Sequence, residues 1–174
     1  FPTAHGVTMV IDVGANIYPK PLHLCQYASM AVVYSRLIWK TENPRVGLLN
    51  IGAEGAKGNE LVRQTHEMLR ESSLNFVGNV EGYDIWGGGY DVLVCDGFVG
   101  NVLLKVSEGL WAVLLQQVGG ALAQYPETAS GKWTEAISAL LKRYDYAEYG
   151  GAPLLGVNGV CICLLYTSPS PRDL

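Results

Sequence analysis

The segment Arg45–Ile51 reads RVGLLNI, an almost unbroken apolar run. It is followed by a glycine-rich loop, Gly52–Gly58, and then by apolar residues at helical spacing between Leu61 and Leu69. A continuously apolar strand that leads into a helix is typical of a parallel sheet covered on both faces. The segment therefore predicts an α/β fold.

The same alternation extends in both directions along the chain. We predict strands at Val7–Val13, Leu74–Val77 and Tyr90–Cys95, with a last strand near Val160. Helices are predicted at Pro21–Trp39, after Val99 and at Trp133–Arg143, and the uncharged run Gly109–Pro126 is interpreted as a buried helix and its end. Pro21–Trp39 is apolar nearly all round, so it is either central or part of a subunit interface.

Composition limits the class of protein. The chain has 174 residues, the size of about one domain, and 49% of them are hydrophobic, which is enough for a substantial core. Only 16% are charged and the net charge is −4, which argues against nucleic acid as a partner. The four cysteines lack the spacing of a zinc or redox motif, so no metal is expected.

Both ends of the chain have unusual sequences. Phe1 and its neighbours form no secretory signal, and Leu164–Leu174 (LLYTSPSPRDL) is Ser/Pro-rich and has no periodicity. We expect residues 1–163 to be a fragment of a single domain and residues 164–174 to be an artefactual or disordered tail. The natural protein is then longer.

Gly-Asn pairs recur where strands are predicted to end, at Gly58-Asn59, Gly78-Asn79 and Gly100-Asn101. In parallel α/β sheets these ends form the ligand crevice, and glycines let backbone N–H groups face an anion beside a helix N-terminus. The pattern favours a phosphate site, although the same glycines could simply make tight turns. Neither the Walker loop nor the dinucleotide fingerprint is present. His23 and His66 are predicted on helix surfaces, without catalytic roles.

Several ordered segments resemble the PlsX family, the phosphate acyltransferases of bacterial phospholipid synthesis, over nearly all of residues 1–162. They are Asp12–Asn16, Pro44–Gly52, Lys57–Glu60, Asn75–Glu81, Asp96–Asn101 and Tyr149–Ala152.

The resemblance implies transfer of a fatty acyl group from acyl carrier protein to inorganic phosphate. The acyl phosphate product would supply the membrane enzyme that acylates glycerol 3-phosphate. A Rossmann-like three-layer α/β/α fold with a mostly parallel sheet, incomplete at both ends, is also implied, as are a homodimer and a cytoplasmic protein at the inner membrane face. No cofactor is expected.

The chemistry agrees with this resemblance, because phosphate is itself an anionic nucleophile and needs chiefly placement and charge compensation. Lys57 is the one cation within these glycine loops, and the resemblance places Lys57 and Asn101 in the reaction centre. Asp96 could orient Lys57, accept a proton from phosphate or cap the following helix. The remaining candidate substrate-binding residues are Asn16, Gly58, Asn59, Gly97 and Gly100.

A membrane contact is expected in the segment 133–144. Its apolar residues recur at helical spacing beside basic residues, and such a helix rests either on a core or in the headgroup region. The contact residues would be Trp133, Ile137, Leu140 and Leu141.

Three other functions remain open. A short-chain phosphotransacetylase would use coenzyme A, and a metal-dependent hydroxyacid dehydrogenase of related fold would need clustered aspartates. A non-catalytic phosphate- or lipid-binding module would bind without turnover. Because the family's terminal regions are missing, we expect the fragment itself to be inactive.

Overall fold

The computed structural model describes residues 1–124 and 151–163. The chain begins with a short antiparallel hairpin, β1 (Pro2–Thr3) and β2 (Gly6–Val7). Four parallel strands then form one sheet in the order β3-β6-β4-β5. These strands are β3 (Met9–Ile11), β4 (Val46–Asn50), β5 (Phe76–Glu81) and β6 (Val92–Val94).

Each helix starts at a residue suited to the position. α1 (Pro21–Ile38) has proline in its first turn, where the missing N–H is not needed. The side chain of Asn59 accepts the Val62 N–H at the start of α2 (Glu60–Arg70). A 3₁₀ helix, Gly82–Gly87, joins β5 to β6, and α3 (Gly97–Gln124) follows β6.

The sheet carries a separate core on each face. α1 and α2 cover the face on which Val46, Leu48, Val92 and Val94 are fully buried. Val80, Ile85, Tyr90 and Leu93 form the core on the other face, with Leu103 of α3 against it. Two covered faces explain why β4 and β6 are apolar without alternation. The predicted α/β architecture with a mostly parallel, partial sheet is therefore confirmed.

The position of β5 corrects one prediction. The expected strand Leu74–Val77 with Gly78-Asn79 at its exit is instead Phe76–Glu81, so Gly78 and Asn79 lie inside the strand. The register against β4 shifts between Val46 and Gly47, and Gly78 has a φ of +101°. Glycine within a strand often marks such an irregularity rather than the end of the strand.

Other predicted elements are shorter than expected. Val7–Val13 contributes only Met9–Ile11 to the sheet, because Gly6 and Val7 belong to the hairpin. The expected strand near Val160 is β8 (Ile162–Cys163), which pairs antiparallel with β7 (Ala152–Pro153). The predicted helix 133–143 and the tail 164–174 lie outside the described residues.

The chain divides into two compact units, Phe1–Ser107 and Glu108–Leu174, and the four-stranded sheet lies within the first. The predicted burial of the helix after Gly109 is wrong, since Leu110, Val113 and Leu114 are about half exposed. Hydropathy indicates how favourable the burial of a side chain would be. It does not show whether another part of the protein covers that side chain. By length and composition alone, Gly97–Ala121 of α3 is long and apolar enough to cross a membrane. Of its most apolar stretch of 18 residues, 11% is buried.

Candidate active site

The candidate residues follow three neighbouring strands. β3, β6 and β4 lie side by side and run in parallel, so the segments that leave their carboxyl ends emerge at one edge of the sheet. Those segments carry Asn16 after β3, Asp96 to Asn101 after β6, and Lys57 after β4. This edge is where α/β sheets form their ligand crevice.

The segments after β3 and β6 are in direct contact. The Gly97 N–H donates to the Asn16 carbonyl at 2.9 Å. A Cβ atom at Gly100 would overlap the backbone carbonyl of Asp12, and one at Gly14 would stand 3.7 Å from the Asn101 side chain. Asn101 itself is exposed. A Cβ atom at Gly97 would stand 2.7 Å from the Asn16 carbonyl oxygen, so glycines at 97 and 100 let the N-terminus of α3 approach the loop after β3 closely.

Asp12 organises that loop, a role the sequence analysis did not assign to it. Its carboxylate accepts N–H bonds from Gly14, Ala15 and Asn16 at 2.7–2.9 Å. These three N–H groups are therefore already used by Asp12. An aspartate followed by small residues and glycine is a known turn signal, and that pattern could have identified this role.

The other polar candidates have local partners. Asn16 donates to the Tyr27 hydroxyl and accepts the Tyr18 N–H, both at 3.1 Å. Asp96 accepts the Val99 N–H at 2.9 Å, which is the helix-capping geometry among the three alternatives considered for it. Within the described residues, Asp96 forms no ion pair with Lys57.

Lys57 lies in a loop whose backbone is anchored. Asn50, at the end of β4, donates from Nδ2 to the Lys57 carbonyl at 3.1 Å, and the Lys57 N–H donates to the Glu54 carbonyl at 3.0 Å. Gly58 has a φ of +90°, and a Cβ atom there would overlap the Asn50 side chain. The Lys57 side chain is exposed, so its ammonium group is available to a ligand.

His66 differs from its predicted place on a solvated helix face. It is half-buried, its Nδ1 lies 3.0 Å from Oδ1 of Asn79, and its ring packs edge-on against Phe76. The helical pattern alone could not reveal this, because both partners come from β5.

The electrostatics argue against a cysteine nucleophile at this edge. Burial, with smaller contributions from the charges of Asp96 and Asp12, raises the pKa of the Cys95 thiol far above its usual value. Cys95 is 4% exposed and its Sγ donates to the Asp12 carbonyl at 3.4 Å. The thiol therefore stays protonated at neutral pH. In residues 1–124 and 151–163, no cluster of three or more acidic, histidine or cysteine side chains suits a metal ion.

Two candidate residues at this edge carry groups that can donate to an anion. Lys57 offers an ammonium group and Asn101 an amide, on segments that leave neighbouring strands about 5 Å apart. An ammonium and an amide N–H can stabilise negative charge on phosphate and on a tetrahedral intermediate.

Comparisons with known proteins place the chain in a family. A family described as "Fatty acid synthesis protein" matches residues 1–170. Proteins named "Phosphate acyltransferase" from Citrifermentans bemidjiense and Heliobacterium modesticaldum are 49% and 51% identical, each over 92% of this chain. The matches cover 46% and 49% of those proteins, so the chain spans about half the length of the curated relatives it matches.

Proposed function

The chain belongs to the fatty acid synthesis protein family, whose curated relatives are named phosphate acyltransferases, and from this premise we propose that the complete protein transfers a fatty acyl group from acyl carrier protein to inorganic phosphate. The observation that carries the proposal is the common edge of the sheet from which the Lys57 loop and the Asn101 segment emerge. That edge offers positive charge and an amide donor.

The reaction balances without an acid–base triad. An oxygen of HPO₄²⁻ attacks the thioester carbonyl carbon, and a tetrahedral oxyanion forms. Collapse of this intermediate breaks the C–S bond, and the phosphate proton goes to the leaving thiolate. The products are acyl phosphate and the free carrier thiol.

Lys57 and Asn101 act through charge and hydrogen bonding in this proposal. The Lys57 ammonium offsets the charge of the phosphate nucleophile, which otherwise repels the developing oxyanion. The Asn101 amide donates to a phosphate or carbonyl oxygen. Asn16, Gly58, Asn59, Gly97 and Gly100 bind the substrate in this proposal, and its support is that they lie in the segments that leave β3, β4 and β6 at this edge.

A comparison of two thioesters tests the function. The complete protein is given long-chain acyl carrier protein or acyl-coenzyme A, with and without inorganic phosphate, and acyl phosphate is measured directly. We expect phosphate-dependent product with the carrier thioester at a much higher kcat/KM. Preference for a short-chain coenzyme A thioester would favour a phosphotransacetylase. Phosphate binding without turnover of either thioester would favour a binding module.

We extend the proposal to a homodimer. On α1, Leu22, Val33 and Leu37 are each more than half exposed, and this apolar row supports the interface alternative for that helix. Sedimentation velocity of the complete protein tests it. Val33→Glu should shift a dimer toward monomer, and an unchanged dimer would exclude this row as the interface.

We also propose peripheral contact with the cytoplasmic face of the inner membrane. The contact residues Trp133, Ile137, Leu140 and Leu141 lie outside the described residues, so the support is their apolar spacing in the sequence. Liposome flotation with Leu140→Glu and Leu141→Glu decides the matter, because binding equal to wild type would exclude this helix.

A further inference from the structure

A polar chain of three groups runs from α2 to the backbone of Lys57. Asn79 of β5 donates from Nδ2 to the Glu54 carbonyl at 2.9 Å. The same carbonyl accepts the Lys57 N–H at 3.0 Å. The Glu54 carbonyl oxygen therefore links Asn79 of β5 to the backbone of Lys57, whose ammonium group is the candidate catalytic cation.

The Glu54 carbonyl sets the orientation of the Asn79 amide, and His66 holds the other end of that amide. Nδ2 of Asn79 is used as a donor to Glu54, so its Oδ1 faces Nδ1 of His66 at 3.0 Å and can only accept. His66 Nδ1 therefore carries the proton. The edge-on contact with Phe76, with ring centroids 5.2 Å apart, fixes the plane of the imidazole.

The loop that contains Lys57 approaches the imidazole ring of His66 at Gly55. A Cβ atom at Gly55 would stand 3.0 Å from Nε2 of His66, so the absence of a side chain lets the loop approach closely. On the other side of Lys57, Asn50 of β4 donates to the Lys57 carbonyl. The backbone around Lys57 is thus held by asparagines from two neighbouring strands.

We propose that Asn79, held by its hydrogen bond with His66, is a positioning residue for Lys57. It fixes the Glu54 carbonyl, and this carbonyl fixes the Lys57 N–H and the direction in which the lysine leaves the loop. The inference rests on the proposed function for its effect on catalysis, whereas the tether itself does not depend on that function. Misplacement of a catalytic group by about 1 Å can cost on the order of 100-fold in rate.

Three variants test the proposal in the complete protein. Asn79→Asp keeps the acceptor for His66 but sets a carboxylate oxygen against the Glu54 carbonyl. We expect kcat/KM for phosphate to fall about tenfold or more, while KM for the acyl carrier protein stays within about twofold of wild type. His66→Ala should lower kcat/KM for phosphate in the same direction. His66→Asn keeps an N–H near the position of Nδ1, so its kcat/KM for phosphate should recover most of the way to the wild-type value.

The control is Glu67→Ala on the exposed side of α2. Glu67 forms a surface ion pair with Arg70, and no other ion pair of Glu67 occurs among the described residues, so wild-type kinetics are expected. Phosphate kinetics within twofold of wild type in a folded Asn79→Asp variant would overturn the proposal. A His66→Asn variant no better than His66→Ala would also overturn it, since a purely space-filling role predicts that result.

Amide hydrogen exchange separates this proposal from the proposed function. The Lys57 amide should exchange at least tenfold faster in Asn79→Asp than in wild type, whatever the enzyme's activity. If wild type makes no acyl phosphate but this exchange difference is seen, the proposed function fails and the tether stands. Unchanged exchange at Lys57 refutes the positioning role.

Discussion

Individual side chains in this fold take their roles from neighbours distant in sequence. Asp12 and His66 illustrate this at the residue scale. Asp12 follows strand β3 and could be recognised as a turn former, yet its use of three amides is visible only in the folded loop. His66 lies on a helix that the spacing predicted correctly, but its partner Asn79 belongs to a strand whose position was shifted in the prediction.

Tyr90 gives a pH prediction at the same scale. It is 5% exposed, and its hydroxyl has no hydrogen-bond partner within residues 1–124 and 151–163. Burial, with a smaller contribution from the charge of Asp84, raises the pKa of Tyr90 to about 12 from 10. The neutral phenol is therefore favoured by folding. The stability that the folded state gains from this raised pKa is complete below pH 10 and is lost as the pH rises toward 12.

We expect Tyr90→Phe to remove this loss of stability at alkaline pH. Urea unfolding at pH 8 and pH 11 measures the free energy of unfolding at each pH. Between the two pH values this free energy should fall by about 1.4 kcal/mol more in wild type than in the variant. At pH 8 the variant should be at least as stable as wild type, because it buries no unpaired hydroxyl. Parallel pH profiles for the two proteins would contradict the assigned burial.

At the scale of elements, apolar runs predicted the strands that are covered on both faces. β4 and β6 lie within the predicted segments because each is buried on two sides, and the helices begin near predicted residues because prolines and caps precede them. β5 was misplaced because Gly78 resembled a strand exit and the register shift there depends on its pairing with β4. Burial of α3 could not be predicted, since hydropathy contains no information about neighbours.

Two glycines of α3 should respond in opposite ways to alanine. At Gly100 a Cβ atom would overlap the Asp12 carbonyl, so Gly100→Ala should cost at least about 1 kcal/mol despite the better helix propensity of alanine. At Gly109 no described residue comes within 4 Å of such an atom, so Gly109→Ala should gain about 0.5–1 kcal/mol. Chemical denaturation compares the two variants, and equal effects would argue against close packing at Gly100.

In the molecule as a whole, parallel topology brings the three segments that carry the candidate residues to one edge of the sheet. The order β3-β6-β4 places three segments at one edge, although Asn16, Lys57 and Asn101 are far apart in sequence. The sequence could predict that strands end near these residues, because apolar runs stop there. It could not show which loops are neighbours, since strand order is a property of the assembled sheet.

The proposed phosphate site shared by Lys57 and Asn101 is tested by the initial rate of acyl phosphate formation. In the complete protein we expect Lys57→Ala and Asn101→Ala each to lower the rate about 100-fold or more, because each removes a donor to developing negative charge. Lys40→Ala, which removes an exposed lysine outside the glycine loops, should retain the wild-type rate. Wild-type turnover in a folded Lys57→Ala or Asn101→Ala variant would contradict the account.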